Sequence, residues 1–314
     1  MTIMGIVRIT TTMNKSISCI LRFSSLLSVA AALAFTGSAR ASVVNLGQAG
    51  QFTLLALGGS IDDSGPIGPQ GNPYNINGPV GVVTAGEKFQ ASGSVRYSGP
   101  VYLHSGVTYN SSAPGVPQPT MSNAVDNMLT QAAHDAFAAS SFASGLAATA
   151  TYGTINSDLT ISEANNGHYV FNIDTISFSG GKALTLNGTK NSTFLLNVSS
   201  GITLSPGSIV LSGGLTADNV LINYTGTKDV QFSGGGNSSQ VFGTILAPNA
   251  TVGLHPGFVA GSIIANAITM SSGADVVPVP EVAPSSLIFG FLGLLVAFSS
   301  RRALAGRVRA VAKK

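Results

Sequence analysis

The acidic and histidine side chains are the residues of this chain best suited to chemistry, and their spacing predicts no shared site. Glycoside hydrolysis requires two carboxyl groups flanking one bond, and no pair of acids has an obvious spacing for that. The candidate acids are spread across predicted strands and turns: Asp62, Asp63, Asp158, Glu163, Asp174, Asp218 and Asp229. The histidines form no metal-binding His-x-x-x-His pair: His104, His134, His168 and His255. We therefore predict a non-enzymatic protein without metal or cofactor. Polysaccharide cleavage is the alternative, because stacked coils could bring distant acids together.

The charges of the chain are segregated along its length. Of the 15 Lys and Arg residues, ten lie in the two terminal segments, whereas all 12 Asp and Glu residues lie between positions 42 and 284. With the remaining five basic residues, this body carries a net charge of −7. Nucleic-acid affinity rests on Lys and Arg that neutralise phosphates. We therefore predict no nucleic-acid partner.

The N-terminal segment 1–41 has the pattern of a signal peptide. Lys15 and Arg22 precede an apolar run at 26–35, and Ala39-Arg40-Ala41 forms an A-x-A cleavage site before Ser42. Translation could also start at Met13. The only cysteine, Cys19, lies inside this segment, so the mature protein should contain no disulfide and no thiolate site. We expect signal peptidase as a partner.

The C-terminal segment predicts a membrane-sorting signal in three parts. A linker at 277–284 contains Val279-Pro280-Glu281, an apolar helix at 285–305 includes Arg301 and Arg302, and a basic tail follows at 306–314. The tail should stay cytoplasmic, with the body outside the inner membrane. The arrangement resembles the PEP-CTERM sorting signal of exopolysaccharide producers, which implies an exosortase-type processing enzyme as partner. It departs from that family at Val282, where a second proline is usual. A plain C-terminal membrane anchor is the alternative.

The body, residues 42–276, reads as a succession of short apolar strands separated by Gly, Asn, Ser or Pro. Near its end, the stretches from Gly243 and Gly261 are near copies 18 residues apart, and Thr251 and Thr269 keep that interval. A constant period indicates coils that stack on one another. We therefore predict an all-β, irregular right-handed β-helix (solenoid), flanked by an N-terminal signal helix and a C-terminal transmembrane helix.

One segment, about 122–139, predicts an α-helix instead. Ser122 can cap its first turn, and an apolar stripe follows. The members of the stripe are Val125, Met128, Leu129, Ala132 and Ala136. The alanines allow close approach to a flat neighbour, so we expect the helix to cover one face of the solenoid.

This order of coils, helix and coils resembles the ice-binding-like family of β-solenoids. The resemblance is carried by Leu46–Phe52, Ala124–Ala139, Gly167–Phe171, Leu184–Gly188, Thr193–Asn197 and Val241–Ala247. The stretch from Gly243 is equally similar to the choice-of-anchor A adhesive domain. We expect an exported structural or adhesive protein, held at the envelope or released into the extracellular matrix, that contacts exopolysaccharide or another surface. Stacked coils would give it a rigid surface of low charge that is rich in hydroxyl and amide groups. An ice-binding protein is the first alternative, and a carbohydrate-active enzyme is the second.

Ice binding requires a flat outward array of hydroxyl side chains at fixed spacing. The candidate residues for such surface binding are Thr185, Thr203, Thr251 and Thr269. They stand singly between apolar neighbours, and β propensity alone explains threonines on the solvent side of strands. We favour that simpler interpretation at this point.

Overall fold

The computed structural model describes residues 44–66, 68, 73–234 and 239–278. The predicted signal peptide, with Ala39, Ala41 and Ser42, lies outside these residues. So do the motif Val279-Pro280-Glu281, the apolar segment 285–305 with Arg301 and Arg302, and the basic tail. Within the part of the chain that is described, no helix is both long and apolar enough to cross a membrane.

The described chain folds into seventeen strands of one continuous sheet and one α-helix. The first strands are β1 (Leu54–Ala56), β2 (Ile61–Gly65), β3 (Val80–Val82), β4 (Lys88–Gly93), β5 (Val101–Leu103) and β6 (Thr108–Ser111). The helix α1 (Asn123–Ser144) comes next, followed by β7 (Ala150–Ile155), β8 (Leu159–Glu163), β9 (His168–Gly188), β10 (Thr193–Ser212) and β11 (Val220–Tyr224). The last strands are β12 (Val230–Ser233), β13 (Gln240–Phe242), β14 (Thr244–His255), β15 (Phe258–Ala260), β16 (Ile263–Ser271) and β17 (Asp275–Val277). Two short 3-10 helices lie at Gly47–Gln51 and Ala217–Asn219.

All strand pairings are parallel, and a full coil supplies strands to three faces, which confirms a β-solenoid. In one coil, β11, β12 and β13 lie on successive faces, while β9 and β10 turn from face to face within one long strand. We call the face that contains β1, β3, β5 and β11 the helix face, because α1 packs on it. The second face contains β2, β4, β6 and β12, and the third face contains β8, β13, β15 and β17.

The order of the coils in space differs from their order in the sequence. Following the pairings from β7 and β8 gives β9, then β10, then β11–β13, then β14–β15, then β16–β17. The coil of β1 and β2 stacks next, because Leu54 pairs with Ile263 and Ile61 pairs with Ile268. The coils of β3–β4 and β5–β6 complete nine rungs. The N-terminal coils thus extend the stack beyond the C-terminal coil.

The 18-residue repeat is confirmed on the third face and on the helix face, and it fails on the second face. Ile245 pairs with Ile263, as two stacked coils require. A register shift follows between Ala247 and Thr251, after which Thr251 pairs with Ala267. The expected stacking of Thr251 on Thr269 is therefore wrong. The reason is that the turn between Ala247 and Thr251 is two residues longer than the turn between Ala265 and Ala267, which stacks on it.

Helix α1 connects the two ends of the stack along the helix face. Its 22 residues span about 33 Å at 1.5 Å per residue, close to the roughly 38 Å covered by nine rungs at strand spacing. The predicted cap is confirmed, since Val125 N donates to Ser122 Oγ at 3.3 Å. The predicted apolar stripe packs on outward residues of the helix face such as Leu55, Leu246 and Ile264. The helix continues past position 139 to Ser144, because Ser140 finds a buried partner on the solenoid.

The interior of the stack is filled by rows of apolar side chains that run from rung to rung. One row contains Phe178, Leu204, Phe232 and Leu254, which are paired in successive rungs and fully buried. Burying each such side chain contributes about 1.5–3 kcal/mol. These rows hold the coils in register, so the outward residues that alternate with them are held in register as well.

Candidate functional site

The second face turns its outward side chains to solvent, and most of them carry hydroxyl or amide groups. It lies next to the helix face, which α1 covers. Two outward rows run across its strands, one on either side of the buried row that contains Phe178 and Phe232. We call these two rows together the hydroxyl face.

The first row is a ladder of serines. It consists of Ser179, Ser205, Ser233, His255, Ser271, Ser64 and Ser92, in the order of the rungs. Ser233 Oγ donates to Ser205 Oγ at 2.8 Å, which ties two rungs together. His255 Nδ1 lies 2.9 Å from Ser271 Oγ. Six serines and one histidine therefore form one continuous row, which we call the serine row.

The second row is more mixed. It consists of Ser177, Thr203, Gln231, Gly253, Thr269, Asp62, Gln90 and Asn110. A side chain at Gly253 would meet His255, since a Cβ atom at this position would lie 2.9 Å from the imidazole Nε2. The imidazole of His255 leans across this position and reaches Thr269 Oγ1 at 3.2 Å. The imidazole of His255, a member of the serine row, therefore occupies the space that a side chain at position 253 would fill.

The structure separates the four predicted threonines. Thr203 and Thr269 share the second row of the hydroxyl face, three rungs apart. Thr251 lies on the same face but outside both rows, level with Ala267. Thr185 lies on the third face, where it pairs with Thr160 and Val210. Two of the four candidates thus belong to one array.

The serine row was missed by sequence reasoning because the coils differ in length. Ser205 and Ser233 are 28 residues apart, whereas His255 and Ser271 are 16 apart. No fixed interval therefore marks the row. The usable signal is a serine directly after a buried residue of each strand on this face, as in Phe178-Ser179 and Phe232-Ser233. Serine is too common elsewhere in the chain for that signal to stand out.

The hydroxyl face has a fixed spacing and little charge. Backbone pairing sets neighbouring rungs about 4.8 Å apart, and the buried rows prevent the strands from sliding. Asp62 is the one carboxylate in the two rows. A hydroxyl group can both donate and accept a hydrogen bond. This surface can therefore make many weak neutral contacts at regular intervals.

Two acids are buried inside the stack. Asp63 and Asp275 are 2% and 0% exposed, and Tyr97 Oη donates to Asp63 Oδ2 at 2.9 Å. Burial raises the pKa of Asp63 to about 7, although the hydrogen bond from Tyr97 opposes the rise. Asn75 Nδ2 lies 3.4 Å from Asp275 Oδ1. A substrate could not reach these carboxyl groups without opening the core.

Metal ligands are not grouped in the described ranges. No three His, Cys, Asp or Glu side chains there are placed to hold an ion. Asp158, on the corner between the second and third faces, is instead paired with Lys182 Nζ at 2.9 Å. That hydrogen bond is the main cause that lowers the pKa of Asp158.

Comparisons with known proteins agree with this architecture. A family described as an ice-binding-like adhesive domain matches residues 32–276. An ice-binding protein (LeIBP) from an Arctic yeast is 19% identical, with a TM-score of 0.50 over 78% of this chain and 99% of that chain. An ice-binding protein from the Antarctic ascomycete Antarctomyces psychrotrophicus is 18% identical, with a TM-score of 0.46 over 76% of this chain and 99% of that one. No curated protein sequence matches this chain.

At 19% identity, the likeness to the yeast protein shows a common fold. The family match is broader evidence, because it extends over most of the chain and includes both groups of coils and the helix between them. The chain belongs to the family of ice-binding-like adhesive domains.

Proposed function

We propose that the domain binds ice through its hydroxyl face. The observation that carries this proposal is the serine row, in which hydroxyl groups follow one another from rung to rung on an exposed face. The family to which the chain belongs supports the same function. Ice binding, the first alternative to adhesion, fits this face better than contact with exopolysaccharide.

The physical basis is the addition of many weak contacts on one rigid surface. An ice surface presents neutral donors and acceptors on a lattice, and hydroxyl groups can match either kind. Each contact is weak, but the side chains are held in register before binding, so little conformational entropy is lost on contact. A face with few charges also avoids the cost of removing water from ions.

A bulky side chain that projects from the face should disturb this match. Thr203 is exposed and has a row neighbour on each side, Ser177 and Gln231, so Thr203→Tyr should lift the neighbouring rungs away from ice. We expect the concentration needed to inhibit ice recrystallisation to rise by about tenfold or more, as for the disruption of a well-packed contact at an interface. Recrystallisation assays and thermal hysteresis of the purified protein provide the measurement.

The matched control is Thr160→Tyr, because Thr160 is an exposed threonine on the third face. This variant should retain the activity of the parent. Equal activity of the two variants would exclude the hydroxyl face as the contact surface. A parent protein without either activity would exclude ice binding altogether.

We also propose that the coils wind in the right-handed sense, as parallel crossover connections do.

We further propose that the protein is exported. In this proposal, signal peptidase cleaves before Ser42 and an exosortase-type enzyme acts at Val279–Glu281. The segment 285–305 holds the protein in the inner membrane before it reaches the cell surface or matrix. Mass spectrometry of the protein from cells tests this: a mature N-terminus at Ser42 supports export, and an intact segment 14–41 contradicts it.

A further inference from the structure

A cavity lies at the corner where the helix face meets the hydroxyl face, beside the end of α1. Its volume is about 320 Å³, at the lower end of the range for small-molecule sites. It extends over four rungs, from Thr151 through Asn172 and Asn197 to Thr225. The hydroxyl face does not use these residues, so the cavity is separate from the proposed ice-contact surface.

The polar groups of this cavity are held in place by a ladder of asparagines. Asn197 Nδ2 donates to Asn172 Oδ1 at 3.3 Å and to Ala143 O at 2.9 Å. Asn223 Nδ2 donates to Asn197 Oδ1 at 2.9 Å. These bonds fix the orientation of the Asn172 amide and, within the described residues, leave its Nδ2 group without a hydrogen bond. A donor of fixed direction therefore lines the cavity.

An acceptor lies beside this donor. Asp174 is two residues beyond Asn172, on the same side of β9, and its Oδ1 accepts from Ser199 Oγ at 3.4 Å and also from Ser200 Oγ. Among the described residues, nothing donates to Asp174 Oδ2. An amide donor and a carboxylate acceptor side by side can hold two neighbouring hydroxyl groups of a ligand, because each hydroxyl group both donates and accepts.

The charge of the lining narrows the ligand further. Asp174 is the only charged side chain among the described residues that line the cavity, so an anionic ligand would meet repulsion without a compensating cation. Ile173 and its strand partner Tyr152 face the core, where the ring of Tyr152 packs against Phe171 at a centroid distance of 6.3 Å. The other side chains of the lining carry hydroxyl, amide or carboxylate groups, which suits a ligand that is neutral and rich in hydroxyl groups.

From these observations we propose that the cavity lined by Asn172 and Asp174 is a binding site for a neutral saccharide. The amide and the carboxylate hold adjacent hydroxyl groups of the sugar. Ser199 and Thr225 stand on the next rungs, where a second sugar unit of an oligosaccharide would lie. The domain then has two contact surfaces, one for ice and one for sugar chains.

The test uses saturation-transfer NMR on the purified full chain. The probes are glucose, galactose, mannose and cellobiose, with glucuronate and glucose 6-phosphate as anionic counterparts. Binding of Ca²⁺ alone, which has no protons to observe, is measured by isothermal titration calorimetry. We expect saturable binding of at least one neutral sugar at about millimolar affinity, as a small polar site allows, and no binding of the anionic counterparts. Binding of Ca²⁺ alone, preferential binding of the anions, or no binding of any neutral sugar would each overturn the proposal.

Two variants locate the binding. Asp174→Ala removes the acceptor from an exposed position and should weaken sugar binding by about tenfold, the loss expected for a charged hydrogen bond. Asp158→Ala removes an exposed aspartate outside the cavity and should leave it unchanged. Equal binding by both variants would refute the site. The two proposals can fail separately, because Asp174→Ala should keep recrystallisation inhibition and Thr203→Tyr should keep sugar binding.

Discussion

At the scale of single residues, Asp63 makes the stability of the protein depend on pH. Its carboxyl group is 2% exposed, and burial raises its pKa to about 7 from 3.8. The folded state therefore retains a proton that the unfolded state releases between these two values. The stabilisation is fully present below about pH 4 and is lost as the pH rises through about 7.

We predict that Asp63→Asn removes this pH dependence. An amide keeps the acceptor for Tyr97 Oη but carries no titratable proton. The free energy of unfolding of the parent should fall by up to about 4 kcal/mol between pH 4 and pH 7.5 from this group, at about 1.4 kcal/mol per pKa unit. Urea denaturation at both pH values measures the difference between parent and variant.

The control for this prediction is Asp158→Asn, which changes an exposed carboxyl group. It should leave the fall in stability from pH 4 to pH 7.5 in place. If Asp63→Asn loses as much stability over this interval as the parent does, Asp63 is ionised in the folded protein and the prediction is wrong.

The residues of the hydroxyl face show the limit of sequence reasoning at this scale. Thr203 and Thr269 are candidates from the sequence and do share a row, but no sequence pattern singles out Ser205 and Ser233. Which residues share a row depends on the length of every intervening corner. A corner such as that between Ala247 and Thr251 changes the register without leaving a recognisable motif in the sequence.

At the scale of elements, helix α1 is attached to the solenoid by two different kinds of contact. Its first half packs on aliphatic side chains, and Leu129 lies so near Gly81 that a methyl group there would be 3.0 Å from it. Its last turns are held by hydrogen bonds, because Asn223 accepts from Ser140 Oγ at 2.7 Å and donates to Ser140 O at 3.1 Å. The apolar stripe in the sequence predicted the packing of the helix on aliphatic side chains. The hydrogen bonds from the asparagine ladder could be identified only in the structure.

We predict that Asn223→Ala loosens the end of the helix. Asn223 is 0% exposed, so the variant leaves the polar groups of Ser140 and Asn197 buried without this partner. The free energy of unfolding should fall by about 3 kcal/mol, the cost of stranding buried polar groups. Urea denaturation measures this loss, and hydrogen exchange should show it first in residues 139–144.

Asn187→Ala is the matched control, because Asn187 bonds to Ser162 Oγ at the solvent-exposed side of the third face. This variant should lower the free energy of unfolding by about 0.5 kcal/mol or less, as surface substitutions do in general. A double variant with Ser140→Ala should cost less than the sum of the two single variants. Strict additivity would mean that Asn223 and Ser140 do not stabilise each other.

At the scale of the whole molecule, the solenoid was predictable and the order of its rungs was not. The near copies at Gly243 and Gly261 report on two adjacent coils, and Ile245 and Ile263 do stack. Nothing comparable marks the junction between Leu54 and Ile263, which are remote in sequence and adjacent in space. Pairing between distant segments leaves no local pattern, since each strand carries only its own alternation of apolar residues.

We predict that removing the coils at this junction disrupts both parts of the stack. A protein that ends after Phe242 lacks β14 to β17, so β1 loses β16 and β11 loses β14. It should show no cooperative unfolding transition in urea, because the coils on either side of the gap then have too few neighbours. A protein that ends after Pro278 retains every rung and should unfold cooperatively. A single sharp transition in the shorter protein would contradict the rung order.

The position of this junction also dictates when the molecule can be completed during synthesis. Leu54 leaves the ribosome roughly 200 residues before its partner Ile263 does, and contacts between such distant segments form slowly. The edges of β1 and β2 that receive β16 stay open throughout that time. Because β16 joins the N-terminal coils to the C-terminal ones, the stack cannot be completed until β16 has been translated.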